Sequence, residues 1–114
     1  MCSGEQVLAI AKQQIGIPYV FGGASPSDGF DCSGLVVYSY RQACGMGLPH
    51  STSSLINYGS AVSKANLRAG DLVFPSAGHV GIAIDSNQMV VAPHSGENVK
   101  IQNIYAFYAG RRII

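Results

Sequence analysis

Hydrophobic positions along the chain change rhythm near residue 70. From Asp71 onward they alternate or run unbroken over a few residues, in DLVF, HVGIAI, QMVVA, NVKI and FYAGRRI, separated by Pro75-Ser76-Ala77-Gly78, Asp85-Ser86-Asn87 and Ser95-Gly96-Glu97. Short apolar runs bounded by turn residues read as strands, and the short spacers predict an antiparallel sheet. Upstream, Ser3 followed three residues later by Gln6 is a capping-box signature, which predicts a helix over 4–15. Gly16 supplies its left-handed stop and Pro18 bars continuation. A second helix is predicted from Cys32 through Cys44, N-capped by Asp31 and closed by Gly45, although the β-branched Val36 and Val37 weaken it. Ser51 can cap a short helix reaching Tyr58. Helices first and sheet second is the α+β order, with the N-terminal helices packed on a central antiparallel β-sheet.

Between the two long helices lies IPYVFGGASPSDGF, residues 17–30, which reads as an irregular stretch. So long a loop in so short a chain points to function. The 114 residues suit one domain spanning 1–114. Apolar residues make up 47% and charged residues 11%, so a core is easily formed. The net charge of +1 with no basic stripe argues against nucleic-acid binding. No apolar run is long enough to span a membrane, and MCSGEQVLAIAKQQ lacks the features of a secretory signal, which leaves the compartment open.

Three cysteines are an odd number, so at least one is expected to be a free thiol. Cys32, in the first turn of its helix, faces unpaired amides and the positive end of the helix dipole, which favour thiolate; it is the expected nucleophile. Cys44 sits at the other end, where the dipole has the wrong sign, and Cys2 near the terminus reads as incidental. A thiolate needs a base, and His79 opens a predicted strand just after a Gly-containing turn, where it can reach a cleft. His94, in APHSGENV, could orient the His79 imidazole, whereas His50 reads as a loop residue. Asp31 and Ser33 flank the nucleophile and could contact charged ends of a peptide, although Asp31 serves equally well as an N-cap. The His and Cys residues lack the paired spacing of a zinc site, so neither metal nor cofactor is expected.

DCSGL at 31–35, PYVFGG at 18–23, AGDLVF at 69–74, GHVGIAI at 78–84 and MVVAPHSGENV at 89–99 together closely resemble the NlpC/p60 family of papain-like cysteine peptidases. The resemblance implies a papain-like α+β fold, Cys32 as nucleophile and His79 as base, with the loop tyrosine Tyr19 beside the oxyanion site. It implies hydrolysis of bacterial peptidoglycan stem peptides, commonly between γ-D-glutamate and the following diamino acid, and hence work outside the cytoplasm or facing a cell wall. Two positions depart from the family pattern. Phe21 stands where the family usually has Trp. Val91 stands twelve residues beyond His79, where the family usually has a polar third catalytic residue. A two-residue turn at Ser86-Asn87 would set His79 opposite His94, whereas a three-residue turn would present Val91. The two-residue register is favoured, with His94 as the orienting group and a backbone carbonyl or water as the fallback. A wall-peptide-binding module without turnover is the alternative.

Overall fold

A computed structural model describes residues 2–114. Helix α1 spans Gly4–Gln13, and the capping box forms as expected, with Ser3 and Gln6 each satisfying the other's backbone amide. The helix ends two residues before Ile15. Gln14 turns its side chain back to the carbonyl of Ile10, and Gly16, at φ 98°, hands its amide to Val99 instead of continuing the spiral. Helix α2 spans Cys32–Cys44, with Asp31 as N-cap and Gly45, at φ 64°, as the left-handed C-cap. Helix α3 is a single turn, Thr52–Leu55, capped by the Ser51 hydroxyl.

The strands are β1 Ala24–Ser25, β2 Gly29–Phe30, β3 Ser60–Ala61, β4 Leu72–Ser76, β5 His79–Ala83, β6 Gln88–Val91, β7 Lys100–Asn103 and β8 Ala109–Arg112. β1 and β2 pair within the stretch expected to be irregular, and the other six form one antiparallel sheet in the order β3-β8-β4-β5-β6-β7. β4 runs on through Pro75, which was expected to end it. The β4–β5 register shifts between Val73 and Ser76, and a residue without an N–H is tolerated at such an irregularity.

Side chains alternate across this sheet. Leu72, Phe74, Val80, Ile82, Val90 and Ala92 meet Val7, Leu35, Val36 and Tyr40 from α1 and α2 in the main core. Val73, Ala83, Met89 and Val91 point to the opposite face, where Leu67, Val62, Ile104 and Phe107 cover them. Burial on both faces accounts for the unbroken apolar runs of the second half.

Cys2 and Cys44 form a disulfide, with Cα atoms 5.0 Å apart, and Cys32 is the free cysteine. Cys2 is therefore not incidental: it ties the segment leading into α1 to the C-terminal end of α2. Spacing alone gave no sign of this, because the pairing depends on α1 packing against α2.

Candidate active site

The N-terminus of α2 is built around Asp31. Its Oδ1 accepts from the Gly34 amide at 2.7 Å, which caps the helix. Its Oδ2 accepts from the Gly22 amide at 2.9 Å, and its own amide donates to the Gly23 carbonyl at 3.0 Å. The tight turn at residues 20–23 is thereby seated on the first turn of α2. Gly34 is what allows the approach: a Cβ there would run into the carbonyl oxygen of Gly23.

Cys32 is the first residue of α2, half-buried against the main core, with Sγ 3.6 Å from the Thr52 hydroxyl. The first amides of a helix have no intrahelical acceptor. Asp31 takes that of Gly34, so those of Cys32 and Ser33 are the remaining donors beside the sulfur. Tyr19 packs on the main core next to this corner, anchored through its amide to the Glu97 carbonyl. Burial raises the pKa of its phenol, and the charges of Cys32 and Asp31 raise it further, so Tyr19 remains a protonated donor.

His79 is the first residue of β5, half-buried and paired with Ser76 across the Ala77-Gly78 turn. β5 is the strand against which α2 packs. Burial lowers the imidazole pKa and the nearby His94 lowers it further, so the neutral, proton-accepting form is favoured.

The β5–β6 register differs from the favoured one. Ile82 pairs with Val90 and Ala83 with Met89, and the Ile84 amide donates to Gln88, which leaves the three residues 85–87 in the turn. Asp85 selects this turn by accepting the amides of Asn87 and Gln88 at 2.7 and 3.0 Å. This register is one residue off the one that would pair His79 with His94. Val91 falls on the face shared by His79 and is fully buried in the second cluster. His94 lies past the end of β6, exposed, with Nδ1–H donating to the Ser95 carbonyl at 3.0 Å. It is near enough to His79 to perturb it, but not as a cross-strand partner.

Ser33 is buried at 6% exposure, with its hydroxyl donating to Asp31 Oδ1 at 3.4 Å. The structure therefore brings Asp31 and Ser33 to Cys32 as an internally bonded pair rather than as open groups. The sequence reading left His50 as a loop residue and passed over Thr52, yet both belong to this corner. His50 Nε2 lies 2.7 Å from Asp31 Oδ1, and Thr52 faces the sulfur. Only the Ser51 cap between them marked this segment in the sequence. A surface depression of about 290 Å³ lined by Ser3, Glu5, Arg68 and Arg112 lies elsewhere, and neither Cys32 nor His79 lines it. Among the described residues, no three His, Cys, Asp or Glu side chains converge as metal ligands.

The model of the NlpC/P60 family matches residues 16–114. The chain is 37% identical to the probable endopeptidase YafL of Escherichia coli, over 90% of this chain and 47% of that one. It is 40% identical to the gamma-DL-glutamyl hydrolase of Bacillus subtilis, over 90% of this chain and 26% of that one. It thus spans half or less of these curated relatives. The crystal structure of the NlpC/p60 domain of the peptidoglycan hydrolase SagA superposes with a TM-score of 0.90 at 36% identity, over 96% of this chain and 98% of that one. In its motifs, its helix-borne cysteine and its sheet, the chain belongs to the NlpC/P60 family.

Proposed function

We propose that the chain is one NlpC/P60 domain acting as a cysteine endopeptidase on peptidoglycan stem peptides, cutting between γ-D-glutamate and the diamino acid. The observation that carries this reading is the placing of the free cysteine at the start of α2, with Tyr19 beside it and His79 at the head of the strand that α2 covers. The bond assignment draws on the relative named a gamma-DL-glutamyl hydrolase.

In this mechanism the Cys32 thiolate attacks the scissile carbonyl, and the amides of Cys32 and Ser33 with the Tyr19 hydroxyl hold the tetrahedral oxyanion. His79, having taken the thiol proton, delivers it to the leaving amine. It then draws a proton from the water that hydrolyses the thioester. Asp31 and Ser33 hold the first turn of α2 beneath the substrate, and His94 acts on His79 through its charge. Work on such a substrate would be done outside the cytoplasm, a reading that the disulfide supports because such bonds persist in oxidising compartments.

Digestion of purified peptidoglycan and defined stem peptides, read by mass spectrometry, tests the proposal. Wild type should release fragments ending in γ-D-glutamate, and Cys32→Ala should release none while keeping its fold. Val91 favours the second reading, a wall-peptide-binding module, because it denies His79 a polar side chain at that position. Binding without cleavage by the wild type would establish that reading instead.

A further inference from the structure

Asp31 is subject to two opposing demands. As helix cap and anchor of the 20–23 turn its carboxylate accepts through both oxygens. As the neighbour of Cys32 it puts a negative charge where like charge opposes a thiolate. His50 bears directly on that conflict. Its Nε2 lies 2.7 Å from Asp31 Oδ1, and because a carboxylate only accepts, Nε2 carries the hydrogen. The imidazole is exposed and forms an ion pair with Asp31 whenever it is protonated. Two residues further on, Thr52 Oγ1 lies 3.6 Å from Cys32 Sγ, so the single stretch 50–52 touches both Asp31 and the nucleophile.

We infer that His50 is a positioning residue of the site: it offsets the charge of Asp31 beside Cys32 and fixes the segment that sets Thr52 against the sulfur. The inference rests on Cys32 being the nucleophile of the proposed peptidase. The other titratable groups at this corner do not supply the missing positive charge. Tyr19 stays protonated and neutral, His79 on β5 is biased to its neutral form until it takes the thiol proton itself, and Glu97, whose carbonyl holds the Tyr19 amide, is paired through its side chain with Lys100.

Alkylation of the folded protein by iodoacetamide reads the effect without any peptide substrate. The Cys32 thiolate displaces iodide and forms one thioether, counted by mass spectrometry, because the other two cysteines are joined to each other. In mildly acidic buffer, His50→Ala and His50→Gln should alkylate about three- to tenfold more slowly than wild type. His50→Lys, which keeps the charge, should stay within about twofold, and high salt should narrow the gaps. Equal rates in all four proteins overturn the inference. So does recovery by Gln but not Lys, which would leave only a hydrogen bond, and so does slow alkylation in the Lys variant with its fold intact. The hydrolase reading fails separately, through absence of cleavage by a wild type that still shows this alkylation pattern.

Discussion

His79 is held partly out of water with a second imidazole nearby, and both circumstances discourage it from taking up a proton. In the unfolded chain that restraint disappears, so on acidification the unfolded state binds the proton first and stability falls through the ordinary imidazole range near about pH 6.5. The loss ends once the folded state is protonated as well. The thermal midpoint of the wild type should therefore drop between about pH 7.5 and 5, and His79→Gln should remove that part of the drop. Proton NMR of the imidazoles gives a second check: in His94→Ala, the His79 ring should titrate at higher pH than in wild type. Cys32 was legible in the sequence because what distinguishes it, a cap before it and a helix after it, is local. His50 was not, because its partner Asp31 lies nineteen positions away and only the folded chain brings them together.

The elements carry their own lesson about register. Strand positions and apolar faces could be read from composition and period, yet the pairing of β5 with β6 turned on one side chain, Asp85, and its choice of a three-residue turn. A single step of register decided whether His94 would stand opposite His79, and period-two patterning alone cannot resolve a step that a turn residue controls. The 17–30 stretch was legible as special but not as ordered. Its β1–β2 pairing and its seat on α2 depend on contacts with Asp31 and Gly34 across the fold. Gly34→Ala tests that seat. The added methyl meets backbone that cannot yield without moving the turn, so a loss of stability of about 1–3 kcal/mol is expected. Peptide cleavage should fall with it, measured by urea unfolding and by the digestion assay.

Across the whole molecule the α+β layering was legible, and the distribution of the core between two faces of one sheet explains why. The central strands β4, β5 and β6 had to be apolar on both faces, and the helices had to cover only one side. The covalent link between the first residues and the end of α2 was not legible, since three cysteines allow several pairings and α1·α2 packing chooses one. Cys2→Ser should destabilise the protein by about 2–4 kcal/mol, seen as a lower urea midpoint under non-reducing conditions, because the bridge spans 42 positions. Its cleavage activity should remain near that of wild type, since thirteen helical residues place the bridge about 18 Å from Cys32.

The two ends of α2 thus want opposite surroundings. At one end the free sulfur can serve the proposed reaction only while it is reduced, and an oxidant that carries it to sulfenic acid or beyond would silence it. At the other end the sulfur holds the fold only while it stays bonded, and a strong reductant releases it. The protein therefore has a redox window rather than a redox preference. Dithiothreitol added to protect the nucleophile should raise activity at low dose and shorten the protein's thermal lifetime at high dose.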